Sequence, residues 1–102
     1  MRVLFAAHGA YGHLLPLLPT AFAMRRAGDE VVIATGEDAC PVVGALGLPA
    51  VPAGLSNREM VDEASRRWPQ LVREPPARWA TRMFTDIAAP VMAARLMDLV
   101  TS

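Results

Sequence analysis

The sequence predicts an α/β domain built on a parallel sheet, and three observations predict this class. Residues 2–7 and 30–35, RVLFAA and EVVIAT, are short apolar runs rich in β-forming side chains, as in strands covered on both faces. The segment between them has the apolar spacing of a helix, and a loop with two glycines joins the first strand to it. Strand, loop, helix and strand in this order predict a βαβ unit, in which a helix connects two parallel strands.

The first helix is predicted over residues 14–27. Its apolar residues recur at helical spacing, at Leu14, Leu17, Leu18 and Ala21. The segment RRAG then supplies basic side chains for the last turn and a terminal glycine, Gly28, which are typical of a helix end.

A second short helix and a third strand are predicted after residue 35. The helix covers residues 38–46 and ends near Gly47. The strand is PAVPA, residues 49–53, and its prolines shorten it.

The character of the chain changes after Gly54. Residues 55–76 are polar and mixed, and they predict one or two short helices with loops. From Ala77 onward the apolar spacing predicts one long amphipathic helix, which Pro90 bends or splits.

Composition limits the function. The 102 residues suffice for one domain, and ten basic side chains balance ten acidic ones, which argues against a nucleic-acid partner. The single cysteine, Cys40, excludes an internal disulfide and a cysteine-rich metal site, and it fits a reducing compartment. The N-terminal apolar run VLFAA is too short for a signal-peptide core, and the longest apolar run, residues 14–24, is too short to span a bilayer. We therefore expect a cytoplasmic protein with neither a metal nor a membrane partner.

The segment HGAYGHLLP, residues 8–16, lies where ligands bind in parallel sheets, beyond the carboxyl end of a strand. It lacks both the GxGxxG dinucleotide motif and the Gly-Lys-Ser/Thr motif of a P-loop, so no cofactor is expected. One interpretation is structural: Gly9 and Gly12 allow a tight turn with positive φ, and His13 only begins the helix. In the other, the glycines admit a ligand to the backbone and His13 takes a proton from a substrate hydroxyl. His8 is expected to hold the loop through a hydrogen bond.

A family resemblance favours the second interpretation. The opening MRVLF, followed by GxxGHLLPLLPTAFAMRRAGDEVVIATG, resembles the N-terminus of GT-B fold glycosyltransferases that modify natural products, including actinomycete antibiotics. The likeness is strong over residues 1–54 and only general over 55–102. It implies a Rossmann-like three-layer fold in which this chain is part of the acceptor-binding domain and a second domain binds a nucleotide sugar.

The resemblance also implies the site residues. His13 matches the general base of an inverting transfer, which a carboxylate from a later strand orients. Gly9 and Gly12 lie near the donor phosphates, and the donor is a dTDP- or UDP-linked sugar. The region that binds the aglycone matches large side chains of the loop and of the later part of the chain: Tyr11, Met60, Trp79 and Phe84. For the last three, core packing remains the alternative interpretation.

Two expectations concern the extent of the chain, residues 1–102. The orienting acid and the nucleotide-sugar domain are expected outside it, so the chain alone is expected to be inactive. In a doubly wound sheet of order 3-2-1-4 the first strand also pairs with a fourth. Without that partner, the chain is expected either to self-associate through the first strand or to hold its glycine loop poorly.

Two other functions remain open from the sequence. One is a GT-B transferase acting on a lipid-linked cell-wall acceptor, which would be expected to show a further glycine pair and a basic, apolar patch. The other is a non-catalytic α/β module that binds a nucleotide phosphate at Gly9 and Gly12.

Overall fold

The structure is a computed structural model that describes residues 1–101. Three strands form the sheet: β1 (Arg2–Ala6), β2 (Glu30–Thr35) and β3 (Ala50–Pro52). The α-helices are α1 (Tyr11–Leu14), α2 (Leu18–Arg26), α3 (Cys40–Ala45), α4 (Asn57–Arg67), α5 (Ala80–Met83) and α6 (Ala89–Thr101). Single turns of 3₁₀-helix cover Leu15–Leu17, Leu71–Arg73 and Pro76–Arg78, and a π-helical turn covers Phe84–Ala88.

The sheet is parallel throughout and has the order β1-β2-β3. Arg2 pairs with Glu30 at the start of the first ladder, and Ile33 pairs with Ala50 at the start of the second. All three strands therefore end at the same edge of the sheet. The predicted α/β class and the three predicted strands are confirmed, and the loop after β1 lies at this carboxyl edge.

β1 is not covered on both faces, and that prediction is wrong. Val3 and Phe5 pack against the core, whereas Arg2, Leu4 and Ala6 on the opposite face are exposed. The reason is that the helix on that face, α6, has no buried residue and leaves a gap beside Leu4. A continuous apolar run in the sequence does not show whether both faces of a strand are covered.

Helices lie on both faces of the sheet. The first core lies on the face covered by α2 and α3, where Leu18, Ala21 and Val43 pack with Val31 and Ile33. On the other face lies α6, which has no buried residue. Its Arg95 donates a hydrogen bond to the carbonyl of Pro52 in β3 (3.3 Å). This is a three-layer arrangement whose second face is only loosely covered.

The predicted helix over 14–27 starts earlier and has three segments. It begins at Tyr11, passes through the 3₁₀ turn that contains Pro16, and continues as α2, where Pro19 occupies the first turn. Proline is tolerated at such positions because the first N–H groups of a helix have no partner within it. Gly28 ends the helix with φ of 99°, as predicted.

The second core is helical and lies between α4, α5 and the π-helical turn. Met60, Ala64, Trp79, Met83 and Ile87 are buried there. α4 begins with a capping box, in which Ser56 accepts from the N–H of Glu59 and the Glu59 carboxylate accepts from the N–H of Ser56. The predicted interruption near Pro90 is observed as the π-helical turn immediately before α6. Within residues 1–101, no helix has both the length and the apolarity to cross a membrane.

Candidate functional site

Three aromatic rings meet at the carboxyl edge of the sheet. His8, just after β1, lies edge-on to His13 of α1 with ring centroids 5.6 Å apart. Phe84, the first residue of the π-helical turn, lies 4.9 Å from His8 and 5.4 Å from His13. The Phe84 contacts join the sheet and its glycine loop to the helical core, so the fold itself brings both histidines to one place.

An apolar pocket of about 190 Å³ adjoins this cluster. It is lined by residues that follow the ends of all three strands, from α4 and from the last helical segments: His8, Gly36, Ala53, Gly54, Leu55, Met60, Phe84, Ala88, Ala89 and Met92. Pockets for drug-sized molecules usually begin at roughly 300 Å³, so this one has room for one end of a flat ligand.

The surroundings of His8 lower the pKa of its imidazole. Partial burial lowers its pKa, and the nearby His13 lowers it further, while a hydrogen bond with the Asn57 side chain and the charge of Asp38 act in the opposite direction. Asn57 is in turn placed by the loop after β2, because its backbone N–H donates to Asp38 Oδ2 (3.4 Å).

His13 is exposed and lies in the first turn of the helix, near its start as expected. Its backbone N–H donates to the carbonyl of Ala10 (3.0 Å). The imidazole is therefore open to a ligand from solvent while its ring stays next to Phe84, which forms part of the pocket wall. A hydroxyl group bound at that wall would lie near a side chain that can accept its proton.

Gly9 and Gly12 do not have positive φ, so the predicted left-handed turn is wrong; Gly28, Gly47 and Gly54 adopt that conformation instead. At Gly9 an added Cβ would lie 3.4 Å from both Ala39 Cβ and Asp38 Oδ1, which is an ordinary packing distance. At Gly12 an added Cβ would meet nothing within 4 Å. The loop is compact because two strand ends approach each other, and it does not require a left-handed residue.

The four residues predicted to bind the acceptor lie in three different places in the structure. Met60 and Phe84 line the pocket beside His8. Tyr11 is 58% exposed and lines a separate crevice with Asp38 and Asn57. Trp79 is buried in the helical core, where its indole N–H donates to the carbonyl of Glu74 (3.0 Å). The geometry thus brings two of the four to the pocket, and it shows Trp79 in a packing role.

The sequence interpretation missed two residues of the site. Met92 lines the pocket, and Asn57 lies beside His8. The segment Ser56-Asn57-Arg58-Glu59 carries the capping-box pattern, which fixes a helix start and would have placed Asn57 at the beginning of α4. Nothing in the sequence indicates that this helix start faces the end of β1, since that contact depends on tertiary packing.

Comparison with known proteins gives a consistent result, although no family model matches the chain. The chain is 53% identical over 53 residues to the elloramycin glycosyltransferase of Streptomyces olivaceus, a match that covers 52% of this chain and 14% of that protein. It is 42% identical over 50 residues to the L-demethylnoviosyl transferase of Streptomyces niveus, covering 49% and 13% of the two chains. It is also 39% identical over 62 residues to the 3-alpha-mycarosylerythronolide B desosaminyl transferase of Saccharopolyspora erythraea, covering 61% and 14%.

A solved structure agrees with these relatives. The crystal structure of SsfS6, a glycosyltransferase of Streptomyces sp. SF2575, superposes with a TM-score of 0.56 at 38% identity over 64% of this chain and 18% of that one. The resemblance to GT-B glycosyltransferases of antibiotic biosynthesis is confirmed, and so is the Rossmann-like α/β class. The chain spans about one seventh of the length of the curated relatives that it matches.

Proposed function

We propose that this chain forms part of the acceptor-binding domain of a glycosyltransferase, which transfers a sugar to a hydroxyl group of a natural product with His13 as general base. The observation that carries the proposal is the position of His13. Its ring contacts Phe84, a wall of the apolar pocket, at the carboxyl edge of a parallel sheet. An apolar pocket beside a proton acceptor suits a ligand that is a largely hydrophobic alcohol or phenol.

The proposed step is a single displacement. The acceptor O–H bond breaks and its proton passes to the His13 imidazole, while the oxygen forms a bond to C1 of the sugar. The bond between C1 and the phosphate oxygen breaks in the same step, and the nucleoside diphosphate leaves. Because attack occurs from the face opposite the leaving group, the configuration at C1 inverts.

The donor in this proposal is a nucleoside-diphosphate sugar, dTDP- or UDP-linked. Support comes from the neighbour SsfS6, whose structure has also been determined in complex with thymidine diphosphate. Gly12 is exposed beside His13 in α1 and leaves space for a phosphate to approach, while Gly9 is buried against the loop after β2. The orienting carboxylate and the nucleotide-binding domain come from outside residues 1–102, so the chain alone should give no transfer.

A chimera tests this proposal. The segment of the elloramycin glycosyltransferase that matches this chain is replaced by the corresponding segment of this chain, and turnover is measured with that enzyme's own donor and acceptor. We expect the chimera to be active and His13→Ala to lower its turnover by about 10²–10⁴-fold, the usual contribution of general-base catalysis. Thr20→Ala, on the exposed side of α2, is the control and should retain activity.

Two outcomes would contradict the proposal. Near-normal turnover of the His13→Ala chimera would exclude His13 as the base. Retention of configuration in the product, read from the anomeric coupling in its NMR spectrum, would exclude the single displacement.

The two other functions open from the sequence make different predictions. A nucleotide-binding module predicts that the 102-residue chain binds thymidine diphosphate by itself, whereas an acceptor domain predicts no binding in a calorimetric titration. A transferase for lipid-linked acceptors predicts a further glycine pair and a basic, apolar patch, and the sequence has neither.

A further inference from the structure

The backbone groups in the wall of the apolar pocket are already paired within the protein. After β3, the N–H of Ala53 donates to the carbonyl of Thr35 (2.7 Å). After β2, the carbonyl of Gly36 accepts from the N–H of Ala39 (3.0 Å). Backbone groups of this kind are common partners of ligands in pockets. Here they are used by the fold itself.

The side chains of the wall add carbon and sulfur. Met60 of α4 is fully buried, and Phe84 and Met92 line the pocket from the π-helical turn and from α6. His8 lines it as well, but the pocket surface formed by residues 1–101 presents almost no polar atom, so His8 presents ring carbon atoms to it. A hydroxyl group that enters this pocket loses its water and gains no hydrogen bond, which is unfavourable.

The volume of the pocket limits what can enter. An apolar cavity of roughly 150 Å³ can hold one benzene ring. The pocket, at about 190 Å³, therefore has room for one ring with a small substituent. His13 contacts Phe84 but does not itself line the pocket. A ligand of two fused rings can thus place one ring in the pocket while the other remains outside, beside His13.

We infer that the acceptor enters the pocket with a ring or alkyl group that bears no oxygen, and that the hydroxyl group to be glycosylated lies on the part that remains outside, next to His13. The inference rests on the proposed function, because it concerns the acceptor of that reaction. It also determines which hydroxyl group of an acceptor reacts. A hydroxyl group at the end that must enter is excluded by the cost of burying it without a partner.

Met92 is the wall residue at which this preference can be changed. Its side chain lies against Gly54, because a Cβ added to that glycine would be 3.6 Å from Met92 Cβ and 3.9 Å from Met92 Cε. Glutamine has a similar length and ends in an amide that can pair with a hydroxyl group. Met92→Gln therefore offers the pocket a hydrogen-bonding group without removing the wall.

The test titrates the 102-residue chain with two probes and follows binding by NMR. One is beta-naphthol with a methyl group at the opposite end of its ring system, and the other is the same naphthol with a second hydroxyl group there. The two substituents have similar sizes and differ in polarity. We expect the methyl probe to bind at least about tenfold more tightly, since burial of a methyl group is favourable and burial of an unpaired hydroxyl group is costly.

The same spectra report the orientation of the methyl probe. Intermolecular NOEs should connect its methyl group to the methyl groups of Met60 or Met92, and its hydroxyl-bearing ring to the imidazole of His13. This measurement uses the native chain, so it keeps the inference falsifiable if a variant does not fold. NOEs that place the hydroxyl-bearing ring against Met60 would overturn the inference.

Met92→Gln separates the pocket from a general preference for apolar probes. The preference for the methyl probe should fall by about three- to tenfold in this variant, as a single net hydrogen bond to the hydroxyl group allows. Met97→Gln is the matched control, because Met97 is 60% exposed on the same helix and does not line the pocket. It should keep the native preference. A folded Met92→Gln chain with the native preference would overturn the inference.

The outcomes also distinguish this inference from the proposed function. If the native chain binds both probes equally well, the acceptor pocket stands and the exclusion of oxygen falls. If it binds neither probe, the acceptor pocket and the inference fall together. The role of His13 as base is measured separately, by the turnover of the chimera.

Discussion

The guanidinium of Arg67 donates a hydrogen bond from Nη1 to the backbone carbonyl of Asp86 (3.2 Å). Asp86 is four residues before Pro90, and in a continuous α-helix the backbone N–H at position 90 would donate to this carbonyl. Proline has no N–H to donate, so the carbonyl is left for another donor. Arg67, the last residue of α4, fills that position and links α4 to the π-helical turn.

This link affects the site because Phe84 begins the same turn. The turn widens the helix from Phe84 to Ala88, and the N–H of Ala89 donates to the carbonyl of Phe84. The position of Phe84 depends on how the helix accommodates Pro90, because Phe84 lies in this turn. This matters for the site because Phe84 contacts both histidines and lines the pocket. Such π-helical turns are frequently found at functional sites.

A double-mutant cycle tests the link between Arg67 and Pro90. Arg67→Met should lower the free energy of unfolding by about 0.5–1 kcal/mol, since the carbonyl of Asp86 loses a charged donor at an exposed position. Pro90→Ala supplies an N–H in its place, and the cost of Arg67→Met should then fall to that of Arg66→Met. Arg66 is the matched control because it, like Arg67, pairs with Glu63. Equal costs of Arg67→Met in both backgrounds, measured by denaturant unfolding, would disprove the link.

The glycines at the carboxyl edge should differ sharply in their tolerance of a methyl group. At Gly36 an added Cβ would lie 3.0 Å from Asp38 Oδ1 and 3.1 Å from the carbonyl of Leu55, and Gly36→Ala should cost about 1–3 kcal/mol of stability. At Gly12 the same Cβ enters open space within α1, and Gly12→Ala should be neutral or stabilising by up to about 1 kcal/mol. Thermal unfolding of the two variants compares them directly, and the opposite order would contradict the local geometry.

The stability of the fold should depend on pH through the ionisation of the Glu63 carboxyl. Hydrogen bonds from Arg66 and Arg67 lower the pKa of this carboxyl from 4.5 to about 2. A carboxyl with a lowered folded-state pKa stabilises the fold above its unfolded pKa, and this stabilisation is lost as the pH falls through the folded-state value. The stability of the native chain relative to Glu63→Gln should therefore fall between about pH 4.5 and pH 2. Urea titrations across this range would contradict the assignment if the difference between the two chains stayed constant.

The sequence predicted those parts of the fold that depend on local patterns. The period of Leu14, Leu17 and Leu18 predicted the first helix, and Gly28 ended it, because both effects act within a few residues. The coverage of β1 was mispredicted, since it depends on which elements pack against the strand and not on the strand's own composition. Likewise the pattern predicted an interruption at Pro90 but not its form, a π-helical turn that contains Phe84 and Ile87 of the second core.

The site was only partly predictable for the same reason. His13 stands in a segment whose residue pattern carries the family resemblance, and its catalytic role stays a prediction. The contact of Phe84 with His8 joins residues 76 positions apart, and no local period encodes it. The structure places His8 in the pocket wall, and its expected role in holding the loop stays a prediction.

The exposed edge of β1 leads to a prediction about association of the 102-residue chain. Within residues 1–101, β1 pairs with β2 alone, and no proline interrupts its free edge. Leu4 is 38% exposed on the loosely covered face, beside the gap below α6. A free strand edge with apolar side chains tends to recruit another chain, and a lysine on the strand opposes this.

We therefore expect the chain to self-associate through β1 and Leu4→Lys to shift it toward the monomer. Met97→Lys, an equally charged change at an exposed residue of α6, should not have this effect. Light scattering over a concentration series measures all three chains. A native chain that remains monomeric throughout, with its β1 amides strongly protected from hydrogen exchange, would show that this edge needs no partner.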